Sequence, residues 1–218
     1  MNVGVLGCGR MGRALGGRAA RAGHAVVFGS RDRAWADGAA REAGFGAAGG
    51  SYSDAVGHAG IVLLSTRWQQ TFRSLAEAGP FQGRTLIDAT NPSTPDGLTL
   101  LLGHETSGAE EIARAVPEAR VVKAFNSIYA EVLAADTRFG RVAATAFYCG
   151  DDTASNALAA RFIHSLGFEA VFAGPLSVAR YLEPAAQLMV ALVEGQGLPA
   201  EGVALGLLRR PALREALA

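Results

Sequence analysis

The sequence has few of the residues from which metal sites and hydrolytic centres are built. Only two of its 218 residues are cysteines, and Cys8 and Cys149 lie far apart without the spacing of metal ligands. The four histidines are scattered, and they form no recognisable set with a serine and an acid. We therefore expect neither a metal site nor a hydrolase, and we expect both cysteines to be buried as small apolar side chains.

Charge of either sign is also scarce. Charged residues make up 18% of the chain, and its 20 basic and 20 acidic side chains cancel. A chain without excess positive charge lacks the electrostatic footprint that attracts nucleic acid or anionic membranes, and isolated pairs such as Arg209-Arg210 do not supply one. We therefore expect neither nucleic acid nor a membrane as a partner.

Long apolar runs and a signal sequence are missing as well. No run approaches the roughly 20 residues that are needed to cross a bilayer. The chain enters a strand pattern at once, without the basic and apolar regions of a signal peptide. Half of its residues are nevertheless apolar, which is enough for one substantial core. These features predict a cytoplasmic protein built as one domain with an extension.

Short apolar runs alternate with segments of helical spacing. The runs predict strands at 3–6, 25–28, 61–64, 85–88 and 121–125, with a weaker strand at 45–48. Helices are predicted between them at 10–22, 33–43, 53–58, 68–78 and 108–115. Because most of these strands are apolar throughout, they are typical of a parallel sheet that is covered on both faces. The pattern predicts a doubly wound, Rossmann-type α/β fold.

The first strand is followed by a glycine-rich turn of informative spacing. Gly7, Gly9 and Gly12 form G-x-G-x-x-G directly after the strand and at the start of a helix. Gly7 permits the tight turn, Gly9 lets the backbone approach a pyrophosphate, and Gly12 lets the helix pack on the strand. The helix N-terminus adds free N–H groups for the anion. This context favours a dinucleotide site over an unrelated glycine-rich turn.

The loop after the second strand lacks the acid that usually binds the ribose of NAD. It offers Ser30, Arg31 and Arg33 instead. A guanidinium pairs with two phosphate oxygens and a serine adds a short donor, so Ser30 and Arg31 favour the 2′-phosphate of NADP. In one alternative, Asp32 is the acid that binds the ribose of NAD, one or two positions later than usual. In another, Asp32 caps the next helix and Arg33 lies on the surface of that helix.

Polar residues follow two further strands, at the edge where parallel sheets bind ligands. Ser65 and Thr66 are candidates for contact with the pyrophosphate or ribose. Trp68 offers a flat surface for the nicotinamide or a substrate ring, or else it anchors a helix in the core. Asn91 precedes a proline, which suits a fixed turn that delivers an amide into the cleft, or an ordinary turn.

A lysine interrupts the otherwise apolar strand at 121–125. Lys123 must reach water, an acid or a ligand, because an unpaired buried charge is costly. With Asn126 three residues later, it is a weak candidate for a proton donor with an orienting amide. A structural lysine is the simpler alternative.

The chain beyond residue 150 extends the predicted sheet. A helix capped by Asp151 or Asp152, a strand at 170–172 and a long helix at 177–194 are expected. The long helix has an apolar face that packs on the body or forms a homodimer; its residues are Leu182, Ala185, Ala186, Met189, Val190 and Val193. We divide the chain into a nucleotide-binding domain, 1–150, and a small C-terminal helical extension, 151–218, that completes the sheet and the acceptor or dimer surface.

Four stretches together carry a family resemblance. They are VGVLGCGRMGRALGGRAARAGHAVVFGSRDR, VVKAFNSI, CGDDTASNALAARFIHSLGF and AGPLSVARYLEPAAQLMVAL. Over nearly the whole chain the sequence resembles the NADPH-dependent reductases of the deazaflavin coenzyme F420, and it is similar to the oxidoreductase domain of the six-transmembrane metalloreductases. The resemblance implies a Rossmann enzyme that passes hydride between C4 of nicotinamide and C5 of 8-hydroxy-5-deazaflavin.

The resemblance also implies the residues that hold each part of the two ligands. These are Gly7, Gly9, Arg10, Met11 and Gly12 for the pyrophosphate, Ser30 and Arg31 for the 2′-phosphate, Ser65, Thr66 and Trp68 for the nicotinamide side, and Ala124, Phe125 and Asn126 around the reaction centre. Residues 175–177 and 195–206 would form the wall of the deazaflavin site.

The stretch KAFNSI leaves the hydride acceptor open. It differs from the archaeal members of the family and is similar to bacterial homologues without an assigned substrate. A flavin or another small conjugated molecule is the alternative acceptor. A non-catalytic NADP sensor is a second alternative, and a hydroxyacid or imine reductase that uses Lys123 is a third.

Overall fold

A computed structural model describes residues 1–208 of the chain, and its centre is an eight-stranded sheet. The strands of the sheet are β1 (Asn2–Leu6), β2 (Ala25–Gly29), β3 (Ala48–Gly50), β4 (Ile61–Leu64), β5 (Thr85–Asp88), β6 (Arg120–Ala124), β9 (Thr145–Gly150) and β10 (Glu169–Gly174). Two short strands, β7 (Arg138–Phe139) and β8 (Val142–Ala143), form a separate antiparallel hairpin.

The strand order is β10-β9-β6-β5-β4-β1-β2-β3, and β1 to β6 are parallel. This order confirms the doubly wound Rossmann-type sheet that the sequence predicts. From β1 the chain leads to β2 on one side and returns as β4 on the other, which opens a crevice at the carboxyl ends of these strands. One expectation is incomplete: β9 was not predicted, and it runs antiparallel to β6 and carries β10 parallel to itself.

Eight helices among the described residues cover the two faces of the sheet. They are α1 (Arg10–Arg21), α2 (Arg33–Ala43), α3 (Tyr52–His58), α4 (Trp68–Ala78), α5 (Gly108–Ala115), α6 (Ala130–Ala134), α7 (Thr153–Ser165) and α8 (Ala179–Gln196). Side chains alternate between the two cores, since Val5 and Leu63 enter one cluster while Leu6 and Leu64 enter the other. This two-sided burial explains why the strands are apolar throughout.

Several local expectations are decided by hydrogen bonds. Asp32 caps α2 by accepting from the Ala34 N–H at 2.8 Å, as one alternative held. Asp152 caps α7, whereas Asp151 accepts from the Leu176 N–H at 2.8 Å.

Both cysteines are free and buried, as expected. The strand expected at 45–48 forms later, at Ala48–Gly50, because the preceding residues at 44–46 adopt left-handed conformations that turn the chain.

Helix α8 corrects the expectation that no segment is apolar enough to span a membrane. The stretch Leu176–Gln196 meets that criterion by length and composition. The core helix of a soluble protein meets the same criterion. On its inner side α8 buries Ala186, Met189 and Val193, and the charged Glu183 is fully buried there as well. Its outer side exposes Tyr181 and Leu188.

The division of the chain at residue 150 stays a prediction. Strand β9 lies before that point and β10 after it, yet the two pair in one continuous sheet. Residues 209–218 of the predicted extension, including Arg209-Arg210, lie outside the described residues.

Candidate functional site

The three glycines of the G-x-G-x-x-G motif occupy different environments. Gly7 has a φ of 107°, which other residues rarely adopt. A Cβ on Gly12 would lie 1.9 Å from the Gly7 carbonyl oxygen, so only glycine lets α1 pack this closely on the loop. A Cβ on Gly9 would meet nothing within 4 Å, because Gly9 borders open space.

The start of α1 offers unpaired backbone donors to that open space. Gly9 is the N-cap and has no side chain to accept from the first turn, and this turn contains no acidic residue. Free N–H groups and the positive end of the helix dipole favour a bound anion. The residues present therefore fit a pyrophosphate.

A cleft of about 670 Å³ lies at the carboxyl ends of β1, β2 and β4. It brings together six of the residues that the sequence singled out: Gly7, Gly9, Ser30, Arg31, Ser65 and Thr66. Cys8 also lines it, and burial raises the pKa of the Cys8 thiol to about 11, so the thiol stays neutral beside an anion site.

The loop after β2 is held in place by its own hydrogen bonds. The Ser30 N–H donates to the Gly50 carbonyl at 3.1 Å, and the Ser30 hydroxyl accepts from the Asp32 N–H at 3.2 Å. Burial raises the pKa of Tyr52, and the adjacent Arg31 guanidinium opposes this rise. Arg31 and Asp32 both line the cleft, and one carboxylate oxygen of Asp32 is engaged as the cap of α2.

Five further residues line the cleft but were not identified from the sequence. They are Trp35, Tyr52, Arg67, Gln70 and Arg73. Trp35 is 57% exposed, and the Arg13 guanidinium carbon lies 5.7 Å from the centre of its ring. The sequence located the helices that carry most of these residues, but helical spacing alone does not tell which polar residue of a first turn faces a ligand.

A second cavity, of about 210 Å³, is lined in part by the first turn of α1, directly after the loop residues that line the first. Arg10 and Met11 line this second cavity, and Arg10 pairs with Glu131 at 3.2 Å across its edge. Its walls are largely apolar and come from the segment after β6 and from α8; they include Ile128, Ala130, Ala186, Met189 and Val190.

Two asparagines supply amides to this second cavity. The Asn91 amide donates to the Asn126 carbonyl at 2.9 Å, and the Asn126 amide donates to Asn91 Oδ1 at 3.1 Å and to the Leu182 carbonyl at 2.9 Å. Phe125 directly before Asn126 is buried and has a φ of 64°, a costly conformation for a side chain of this size. This turn at the end of β6 directs the chain into the cavity wall.

The Lys123 side chain does not reach the cleft. Its ammonium lies 2.8 Å from Asp88 and 2.8 Å from Glu183, and it donates to the Thr90 carbonyl at 2.6 Å. Burial alone would lower the pKa of Lys123, but the two carboxylates outweigh burial and raise it. All three donors of Lys123 are thus occupied and its side chain is fully buried, which favours the structural alternative over the catalytic one.

Other predicted site residues also lie elsewhere. Trp68 lines neither cavity; its ring packs edge-on against Phe72 at 5.1 Å and lies beside Gly108. Ala124 is fully buried in the core. The segments 175–177 and 195–206 line neither cavity, and the Leu205 carbonyl instead accepts from the Thr145 N–H. Ala186, Met189 and Val190 from the middle of α8 line the second cavity instead.

Comparisons with known proteins agree with this architecture. Residues 2–92 match the family model described as NADP oxidoreductase, coenzyme F420-dependent. The metalloreductase STEAP3 of Rattus norvegicus is 30% identical over 184 residues, which are 83% of this chain and 35% of that protein. The chain thus spans about a third of the length of this curated relative.

Two solved structures are similar over almost their whole length. One is a proposed F420-dependent NADP reductase from Arthrobacter sp. FB24, at 29% identity and a TM-score of 0.79, covering 90% of this chain and 95% of that one. The other is the hypothetical protein SMa0349 of Sinorhizobium meliloti, at 27% identity and a TM-score of 0.76, covering 94% and 95%. The match of residues 2–92 to the family model and the similarity to these two structures agree with the family that the sequence resembles, the coenzyme F420-dependent NADP oxidoreductases.

Proposed function

We propose that this protein transfers hydride between NADPH and a deazaflavin coenzyme of the 8-hydroxy-5-deazaflavin type. The observation that carries the proposal is the arrangement of two cavities around the first turn of α1. The larger one has a phosphate cradle and Arg31, and the smaller one has apolar walls and two amides. A dinucleotide with its pyrophosphate at the start of α1 would have its adenosine half in the first cavity and its nicotinamide toward the second.

The first cavity suits the adenosine half of NADPH. In this proposal the loop at Gly7 and Gly9 receives the pyrophosphate, and Ser30 and Arg31 bind the 2′-phosphate through a hydroxyl and a guanidinium. Asp32 also lines this cavity, but one of its carboxylate oxygens caps α2, which supports NADP over NAD. Ser65 and Thr66 border the same cavity and are assigned to the pyrophosphate and ribose.

The second cavity, of about 210 Å³, suits a single ring, and the groups in its lining that could move a proton are engaged. The Tyr129 hydroxyl donates to the Met189 carbonyl at 3.4 Å, and Glu131 pairs with Arg10 at 3.2 Å. Bound NADPH supplies a hydride from its nicotinamide ring. Among the residues that form the cavity, Met11, Ile128 and Met189 exclude water, and Asn91 and Asn126 orient polar ring substituents. Proximity and orientation supply much of the acceleration of a direct transfer, so the site needs no general base on carbon.

The experiment mixes purified protein with NADPH and 8-hydroxy-5-deazaflavin without oxygen and follows the loss of deazaflavin absorbance. The proposal predicts turnover with NADPH and little with NADH. Turnover of riboflavin or FMN, but not of the deazaflavin, would instead favour reduction of a flavin or another conjugated acceptor. NADPH binding without turnover of any ring acceptor would favour a non-catalytic sensor.

Further properties expected from the sequence stay predictions. We propose a homodimer in the cytoplasm, with neither nucleic acid nor a membrane as a partner. The exposed Tyr181 and Leu188 on α8 are apolar side chains that a second copy would cover, which supports the dimer. The molar mass in solution by light scattering tests the dimer directly.

A further inference from the structure

Three charged side chains meet where β5, β6 and α8 come together. Lys123 of β6 lies 2.8 Å from Asp88 of β5 and 2.8 Å from Glu183 of α8, and all three side chains are fully buried. Asp88 also accepts from the N–H and the hydroxyl of Thr90, at 2.9 and 2.7 Å. Every charge in this triad therefore has fixed partners, which is the condition under which buried ions are tolerated.

The second carboxylate of the triad is compensated by the start of α5. Glu183 accepts from the Gly108 N–H at 2.9 Å and from the Ala109 N–H at 3.1 Å. These donors belong to the positive end of that helix. One side chain of α8 thus joins this helix to β6 and α5 at once, so the position of Glu183 along the sheet is strongly determined.

The same part of α8 touches the amides of the second cavity. The Leu182 carbonyl, one residue before Glu183, accepts from the Asn126 amide at 2.9 Å. One to two turns later, Ala186, Met189 and Val190 line the same cavity as Asn91 and Asn126. The separation between Asn126 and the cavity-lining residues of α8 therefore depends on where the triad holds α8.

We propose that the Asp88–Lys123–Glu183 triad is a positioning device that sets the width of the acceptor cavity and thereby the size of the ring that enters it. This inference rests on the proposed function, because it assigns the second cavity to the hydride acceptor. The triad touches neither cavity itself, so its residues act through α8. NADPH affinity, which depends on the first cavity, is not expected to depend on the triad.

The kinetic test uses Glu183→Asp, which keeps the charge but shortens the link by one methylene and draws α8 toward β6. The KM for 8-hydroxy-5-deazaflavin should rise about tenfold or more, while the Kd for NADPH stays within about twofold of the parent protein. Glu110→Asp is the matched control, since Glu110 also joins α5 to α8, through Arg180 at 2.7 Å, but in a partly exposed pair. An equal loss for both ligands, or an unchanged deazaflavin KM, would overturn the proposal.

A crystallographic test does not depend on the identity of the acceptor. Structures of the parent protein and of Glu183→Asp, both without acceptor, should show α8 displaced toward β6 and a shorter separation between Met189 and Asn126. An undisplaced α8 would overturn the proposal. If the parent protein turns over no ring acceptor, the proposed function fails, and this comparison still decides whether the triad positions α8. Glu183→Gln serves as a second variant, and it should raise the deazaflavin KM in the same direction.

Discussion

Asn91 and Asn126 hold each other across the end of two neighbouring strands. The Asn91 amide donates to the Asn126 carbonyl at 2.9 Å, and the Asn126 amide returns a bond to Asn91 Oδ1 at 3.1 Å. The pair fixes one side of the second cavity, and the strained turn at Phe125 places it there. Such a rigid pair suits the orientation of a flat ring.

Replacement of Asn126 by alanine tests this orientation. The Asn126→Ala change removes the bonds to Asn91 and Leu182, so the rings lose a fixed partner and kcat should fall about tenfold to a hundredfold. The Kd for NADPH should change by less than about threefold, because the phosphate end supplies most of the affinity. Steady-state kinetics and a binding titration measure the two effects. Asn156→Ala is the control, since its amide donates to Gly150 outside both cavities; equal losses in both variants would argue against a role in orientation.

Arg31 and Arg33 form a matched pair for the test of cofactor choice. Arg31 lines the cleft, whereas Arg33 pairs with Asp37 at 3.0 Å on the outside of α2. Loss of a charge-assisted bond costs about 1.5–3 kcal/mol, so Arg31→Ala should raise the KM for NADPH about tenfold to a hundredfold. Arg33→Ala should leave it unchanged, and neither variant should weaken the use of NADH. An unchanged KM in Arg31→Ala would remove the assignment of the 2′-phosphate.

Alanine substitutions at Gly9 and at Gly12 should have different effects: the first should weaken NADPH binding, and the second should lower stability. Gly9→Ala places a methyl group in open space, so the protein should fold normally while its NADPH affinity falls at least about tenfold, because the methyl occupies the approach of the pyrophosphate. Gly12→Ala forces a Cβ to within 1.9 Å of the Gly7 carbonyl and should lower the melting temperature. Thermal unfolding and NADPH titration separate the two outcomes. Full NADPH affinity in Gly9→Ala would contradict the placement of the pyrophosphate.

The buried triad predicts a large stability effect. Lys123→Met leaves two carboxylates without their ammonium, and it should lower the free energy of unfolding by about 3–5 kcal/mol. The double variant Lys123→Met with Glu183→Gln should recover part of this loss, because one uncompensated charge disappears. Urea denaturation measures both variants. A loss below about 1 kcal/mol would show that the triad is not tightly coupled.

Local features of the sequence were sufficient for much of the fold and for half of the site. The phosphate loop and the Ser30–Arg31 pair were found because spacing within one strand, turn and helix fixes where those residues lie. The strands of the parallel part of the sheet were predicted because strands that are buried on both faces are apolar along their whole length. Strand β9, with the sequence TAFYCG, was missed because it pairs antiparallel with β6 and its place depends on the distant chain that it meets.

The second cavity was predicted only in part, because it depends on contacts between distant segments. Four residues that the sequence singled out line it, Arg10, Met11, Asn91 and Asn126, but its lining from α8 was not expected. Lys123 was considered as a proton donor, but its partner Glu183 lies 60 positions away, and no spacing rule connects the two. Trp68 was assigned to the nicotinamide, yet Phe72 and α5 provide an apolar surface that its ring covers instead. The acceptor wall was expected at 175–177 and 195–206, which line neither cavity, whereas the apolar face of α8 was interpreted as a packing or dimer surface and contributes residues to the second cavity.

The most direct test of the account follows the hydride itself. NADPH that carries deuterium in the transferred position at C4 is oxidised by the protein with 8-hydroxy-5-deazaflavin in ordinary water, and the product is examined by NMR. The account predicts that the deuterium appears at C5 of the reduced deazaflavin, because two held rings exchange hydride without passing it to solvent. Reduced deazaflavin without the label, or NADPH that binds and is not oxidised, would contradict it.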